Sequence, residues 1–213
     1  MAIRITYCVS ASVINENKMR NDVPGQERKD GMKVLPEKWE TERLSVRDAT
    51  MADVPHLREV FNAVSYVGEW DKTFYEETEE AFVQLVSKSL FLNHNSTEIF
   101  KMQSVFLRGG EDIIGYFHLF HDAPLPRHVW ISMFVMHPHF QKNMYGSELA
   151  HGIWDQFKQL GEYDSIWLRV YLKNWPALRF WIDMGWRTII RYEGDTVHAD
   201  DTKAAVVLER KIN

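Results

Sequence analysis

The sequence predicts a single α/β domain built on a mixed, strongly twisted sheet of six or seven strands flanked by about four helices. Three observations carry this. Some segments alternate polar and apolar residues with period two, and others repeat apolar residues at helical spacing. The two patterns interleave in the order β, α, α, β, β, β, α, β, α, β, β, with no internal repeat. The 213 residues are 45% apolar and 26% charged, an ordinary globular composition for one main domain.

Residues 1–37 read as an N-terminal extension. Ile3, Ile5, Tyr7 and Val9 alternate before Asn15 to Lys18, Pro24, Gly25 and Gly31 interrupt the pattern. An edge strand, a disordered tail and an upstream start before Met32 are all compatible with it. Residues 38–213 form the regular domain. Leu44 and Val46 alternate with polar neighbours across Arg43–Arg47, as a half-buried strand requires. A helix begins near Thr50, where Thr50 and Asp53 form a capping pair and Val54, Leu57, Phe61 and Val64 share one face. A second starts after Thr78, with Glu79 and Glu80 in its electropositive first turn and Phe82, Leu85, Val86 and Leu90 as its inward stripe.

Segments 100–107, 113–120 and 129–136 predict a meander of three strands, turned at Gly109–Gly110 and at Pro124 and Pro126. Leu149, Ile153, Phe157 and Leu160 define a helix beyond Pro138 that ends at Gly161. A strand over Ile166–Leu172 leads to a helix from Pro176 to Gly185, and strands at 186–192 and 204–210 close the domain.

Composition excludes several classes. A net charge of −5 argues against a sequence-independent grip on nucleic-acid phosphates. No run approaches the eighteen apolar residues of a membrane span, and Arg4, Thr6 and Ser10 break up any signal-peptide core. Cys8 alone makes no internal disulfide. A cytoplasmic protein is expected, without nucleic-acid or membrane partners; association into a homodimer stays open. No metal is expected either. His118 and His121 fall on opposite strand faces, only His137 and His139 share a parity, and no carboxylate or cysteine stands at a ligating spacing.

The segment 66–76 carries Tyr66, Trp70, Phe74 and Tyr75 among Glu69, Asp71 and Glu76. It could form a wall for a cationic amine; packing of its rings on the core, with solvated carboxylates, is the simpler reading. Trp130, Trp154, Trp167 and Trp186 fall in predicted elements as core fillers.

The stretch from Val135 to Leu149 is a strand, a glycine-bearing loop and an amphipathic helix, an arrangement that points free N–H groups and a helix dipole at an anion such as phosphate. Gln141-Lys142-Asn143-Met144-Tyr145-Gly146, followed by Ser147 and preceded by His137-Pro138, resembles the Gln/Arg-x-x-Gly-x-Gly/Ala pyrophosphate loop of the GNAT superfamily of acyl-CoA-dependent N-acyltransferases. Asn174, Ala177, Gly185 and Trp186 match that family's Asn-x-x-Ala and Gly-Phe segment, whose helix runs beside the pantetheine arm. Thr41 to Arg47 is similar to the first strand of members that acylate protein N-termini or small amines. The resemblance covers residues 38–213, with two departures. Met144 stands where the family usually has its first glycine, and Trp181 where it commonly has a tyrosine that protonates the leaving thiolate.

What the resemblance implies is a GNAT-like fold holding acetyl-CoA as acyl donor in a cleft between two diverging parallel strands. The donor would be bound by Met133, Phe134, Val135, Gln141, Lys142, Asn143, Met144, Tyr145, Gly146, Ser147 and Asn174, with a backbone N–H of Met133–Val135 on the oxyanion. The acceptor would be a primary amine of a small molecule or peptide N-terminus, attacking the thioester directly. No catalytic residue is singled out: Glu69, Asp71, His118, Ser132 and His137 are candidate bases by type, and Tyr145 and Tyr171 substitute acids. Trp70, Trp175 and Trp181 would lie toward the cleft. The alternative function is a GNAT-like module that binds CoA or a partner without catalysis.

Overall fold

The computed structural model of the chain describes residues 33–69, 74–91 and 99–212. The predicted extension up to Met32, and also Trp70 and Asp71, lie outside them. One sheet runs in spatial order β1 (Lys38–Glu40), β2 (Leu44–Asp48), β3 (Ile99–Leu107), β4 (Ile113–His121), β5 (His128–Met136), β6 (Ser165–Tyr171), β8 (Ala204–Lys211) and β7 (Thr188–Gly194). All neighbours are antiparallel except β5 and β6. Among the described residues the α-helices are four: α1 (Val54–Asn62), α2 (Glu79–Leu90), α3 (Tyr145–Leu160) and α4 (Trp175–Asp183). Eight strands exceed the six or seven expected from sequence. β1 is three residues long, too short to display an alternation.

The helices sit on two faces because strand side chains alternate. α3 and α4 press Leu149, Ile153, Phe157, Phe180 and Trp181 onto Phe134, Ile166 and Leu208. On the other face α1 and α2 press Val54, Leu57, Phe82 and Val86 onto Met102, Tyr116, Met133 and Val135. α3 comes so close to β1 that a Cβ on Gly152 would meet Trp39 at 2.7 Å. α1 follows a short 3-10 turn at Met51–Asp53, where the Asp53 carboxylate accepts the Thr50 N–H and both ends of the Arg47 guanidinium. α2 is capped by Thr78, whose hydroxyl accepts the Ala81 N–H.

Three details differ from the expectations. Leu90 is exposed, and Ser89 takes the inward position instead, its Oγ accepting the Met102 N–H at 2.8 Å. Leu172 lies beyond the end of β6 and is exposed. Trp186 precedes β7 and is fully buried, its indole N–H donating to the Ile166 carbonyl. Residues 33–37, counted with the extension, lie against the domain. Leu35 is buried and donates its N–H to His121 Nε2, while Tyr163 donates to the Lys33 carbonyl and Gln103 to that of Pro36.

Candidate functional site

β5 and β6 are paired only over His128–Ile131 and Ser165–Leu168. Beyond them β5 continues to Met136 and β6 to Tyr171 and, among the described residues, no strand lies between, so a wedge opens at the carboxyl ends of this parallel pair. A bulge in β5 sits at its origin: His118 opposes Met133 and Leu119 opposes Ile131, leaving Ser132 as the extra residue. The side of β5 that faces the wedge follows from its hydrogen bonds. His137 N–H donates to the Ile114 carbonyl of β4, so alternation turns Val135 and Met133 the same way and aims the N–H groups of Phe134 and Met136 into the wedge.

The loop leaving β5 winds through a 3-10 turn at Pro138–Phe140 and enters α3 with two non-glycine residues in the left-handed region, Lys142 at φ 67° and Met144 at φ 65°. Met144 is the residue before the first turn of α3, and no side chain caps that turn. Among the described residues, no acceptor faces the N–H groups of Tyr145, Gly146 or Ser147. Three free donors at the positive end of a 16-residue helix suit an anion. Met144 is 63% exposed.

Glu148 would repel an anion there, and a brace from the start of β2 neutralises it. Arg43 donates through Nε to Glu148 Oε2 at 2.6 Å and through its backbone N–H to Oε1, while Thr41 donates to Oε1. Burial pushes the Glu148 carboxyl up, but these hydrogen bonds and the Arg43 charge outweigh it and hold it below the ordinary range. The same guanidinium reaches the Asn143 carbonyl and lies 4.6 Å from the Tyr145 ring centre. Gln141 turns inward: it is buried, donates to the Met136 carbonyl at 2.8 Å and bonds the Tyr66 hydroxyl. Its side chain therefore anchors the loop, leaving backbone N–H groups to meet the ligand. Asn174 is likewise buried and accepts the Ala177 N–H as the cap of α4.

The candidate acid–base residues separate clearly. His118 is buried among Phe100, Tyr116 and Ser132, its Nδ1 2.6 Å from Ser132 Oγ. His137 accepts the His139 N–H and packs its ring on His139 and Phe140; burial and the neighbouring His139 push its pKa down. Glu69 is exposed at the end of a 3-10 turn over Ser65–Glu69. Tyr145 lies under Arg43, and Tyr171 ends β6 beside the Arg169 guanidinium. Trp181 does not line a cleft, contrary to expectation: it is buried, with its ring against Phe134, Phe180 and Trp186. Trp175 is exposed at the start of α4. Among the described residues, no three His, Cys, Asp or Glu side chains stand close enough to hold a metal ion, and no helix is long and apolar enough to cross a membrane.

A wedge between parallel strands, followed by an uncapped helix, is the geometry implied by the resemblance, and comparison with known families decides the matter. The acetyltransferase (GNAT) family matches residues 63–186, more than half of the chain. The chain belongs to the GNAT family of acetyltransferases. Solved structures agree in fold. The chain is similar to a GNAT-family acetyltransferase from Bacillus anthracis, at 19% identity and a TM-score of 0.63 over 82% of this chain and 98% of that one. It is also similar to a Salmonella typhimurium acetyltransferase that modifies the N-terminal serine of the 50S ribosomal subunit protein L7/L12, at 14% identity and a TM-score of 0.66, covering 81% and 97%. A third is RimL, the ribosomal L7/L12 alpha-N-protein acetyltransferase in complex with coenzyme A, at 15% identity and a TM-score of 0.64, covering 84% and 98%. No curated protein matches the sequence.

As a GNAT acetyltransferase the protein takes its acyl group from acetyl-CoA. The residues present fit that donor. Its pyrophosphate calls for backbone donors, which the Tyr145–Ser147 turn provides. Its thioester calls for an N–H outside the strand ladder, and among the described residues β5 has no strand partner on the wedge side at Phe134 and Met136. Three features of this site have no signature in the sequence: the Arg43–Glu148 brace, the Tyr66–Gln141 bond and the bulge at Ser132. Each joins residues far apart in the chain or depends on register.

Proposed function

We propose that the protein transfers acetyl from acetyl-CoA to a primary amine, on a small molecule or a peptide N-terminus, by direct attack on the thioester. The parting of β5 from β6 immediately after Ile131 and Leu168 carries this reading, because among the described residues it leaves the following N–H groups of β5 without a strand partner on that side, where a carbonyl oxygen can reach them. The pyrophosphate sits on the first turn of α3, held by the N–H groups of Tyr145, Gly146 and Ser147. Phe134 N–H, within the Met133–Val135 stretch, receives the oxyanion. The amine nitrogen's lone pair forms the C–N bond while the carbonyl π pair moves to oxygen. That pair returns as the C–S bond breaks; the nitrogen gives up one proton and the thiolate takes up one.

Trp181 supplies no acid, since an indole N–H is not released at ordinary pH. A thiol of pKa about 8.5 is a tolerable leaving group near neutrality, so protonation from water suffices. Two neighbours in fold act on the N-terminus of L7/L12, which favours peptide N-termini as the first acceptors to try. The buried Trp181 is also the observation that favours the rival reading, a module that binds CoA without turnover. Thiol release from acetyl-CoA across a panel of amines and N-terminal peptides separates the two, since the rival binds acetyl-CoA and releases nothing. Gly146→Asp places a carboxylate in the pyrophosphate's position and should abolish acetyl-CoA binding; unchanged affinity would remove α3 from the donor site.

A further inference from the structure

From Val129 to Met136 every residue of β5 is buried except Ser132. Ser132 is also the residue the bulge inserts, and the first beyond the last β5–β6 pair. The one partly exposed residue of this run thus stands where the wedge begins. Its Oγ lies 2.6 Å from His118 Nδ1 and 3.2 Å from the His118 carbonyl. The His118 ring belongs to the face covered by α1 and α2, against Phe100 at 5.1 Å and Tyr116, whereas α3 and its free N–H groups lie with the opposite cluster. Donor and hydroxyl therefore meet the wedge from opposite faces of the sheet.

A serine hydroxyl has one proton and two acceptor lone pairs. In the Nδ1–H tautomer of His118, with the hydroxyl's proton on the His118 carbonyl, Nδ1–H takes one lone pair and one remains for a partner from solvent. We propose that Ser132 is the catalytic residue that receives the acceptor, its Oγ accepting a hydrogen bond from the N–H of the attacking amine, with His118 as the positioning residue that fixes the hydroxyl. This rests on the acetyl-transfer reading above. Burial, with a smaller contribution from the Lys88 charge, holds His118 at a pKa of about 3. The imidazole is therefore neutral across the working range and acts as a fixed donor, without taking a proton itself. The nitrogen's proton leaves to water through the open end of the wedge.

The test uses the full chain with acetyl-CoA and an amine that the wild type acetylates. It measures steady-state kinetics, acetyl-CoA Kd by titration calorimetry and Tm for Ser132→Ala, Ser132→Thr, Ser132→Cys and His118→Phe. A lost hydrogen bond to the reacting amine predicts that Ser132→Ala lowers kcat/KM for the amine by about 10- to 100-fold, with acetyl-CoA Kd within about twofold. Ser132→Thr keeps the hydroxyl and recovers most of that loss, and His118→Phe falls between them. Should the alanine lower Tm markedly, Ser132→Cys fills the same volume and carries the same expected loss. Amine kcat/KM unchanged in Ser132→Ala, or falling only in step with Tm and acetyl-CoA affinity, overturns the proposal and makes the pair a pin for the bulge. A wild type that binds acetyl-CoA and acetylates no amine overturns the transfer reading itself, a distinct outcome.

Discussion

Replacing Met144 by glycine should stabilise the protein. Met144 holds φ 65° and ψ 2°, the left-handed conformation in which a Cβ crowds the backbone at a cost of about 1–2 kcal/mol. Glycine relieves that crowding but loses about 0.5–1 kcal/mol of unfolded-chain entropy on folding, leaving a net gain of roughly 0.5–1 kcal/mol. The side chain is 63% exposed, so its removal forfeits little packing. At 213 residues the gain corresponds to a Tm rise of about 1–4 °C in a thermal scan. Met144→Ala retains the Cβ and the strain, and should leave Tm within about a degree of wild type. Calorimetric titration with acetyl-CoA should show Met144→Gly binding at least as tightly as wild type, because the N–H donors that follow are untouched. A glycine variant that melts at or below the alanine variant would refute the strain argument.

Three further outcomes are expected. Burial holds His118 at a pKa of about 3 and His121 at about 4, so the unfolded chain takes up protons below about pH 6.5 that the native chain refuses. Stability is then full above that value and falls toward pH 4 by up to about 1.4 kcal/mol per unit for each histidine; equal urea-unfolding free energies at about pH 7.5 and about pH 5 would contradict this. Arg43→Gln leaves the Glu148 carboxylate unneutralised at the first turn of α3 and should weaken acetyl-CoA binding by about 1–2 kcal/mol, with partial recovery in the double variant carrying Glu148→Gln; an unchanged Kd removes the brace from the account. A chain beginning at Met32 should keep the full-length Tm, while Leu35→Ala should cost about 2–4 kcal/mol by urea unfolding; a truncated chain that melts far lower would show that the leader packs on the domain.

The parts of the fold visible in the sequence are those that depend on local periodicity or local chemistry. Val54, Leu57 and Phe61 mark α1 because a helix buries one stripe, and Thr78 marks the start of α2 because its hydroxyl serves an orphan N–H. The loop from Gln141 to Ser147 is legible for the same reason, since a contiguous stretch sets both the turn and the helix start. What depends on register or on distant partners is hidden. Nothing along β5 announces that Ser132 is the bulged residue, because the bulge is defined by pairing with β4. Gln141 is recognisable in the loop, but its inward turn depends on Tyr66, 75 residues away in sequence. The resemblance implies Trp181 at a cleft, whereas the burial of its ring is decided by Phe134, Phe180 and Trp186 around it.

Acetyl transfer to an amine in the wedge between β5 and β6 leaves two products that can be measured together. Mass spectrometry of peptide N-termini and small amines incubated with acetyl-CoA and the full chain, with CoA thiol measured in the same samples, tests it most directly. The expected product is an acceptor carrying one added acetyl group, with one thiol released for each acetylated molecule. Acetyl-CoA bound by the protein, with no acceptor modified and no thiol released above the protein-free rate, would contradict it.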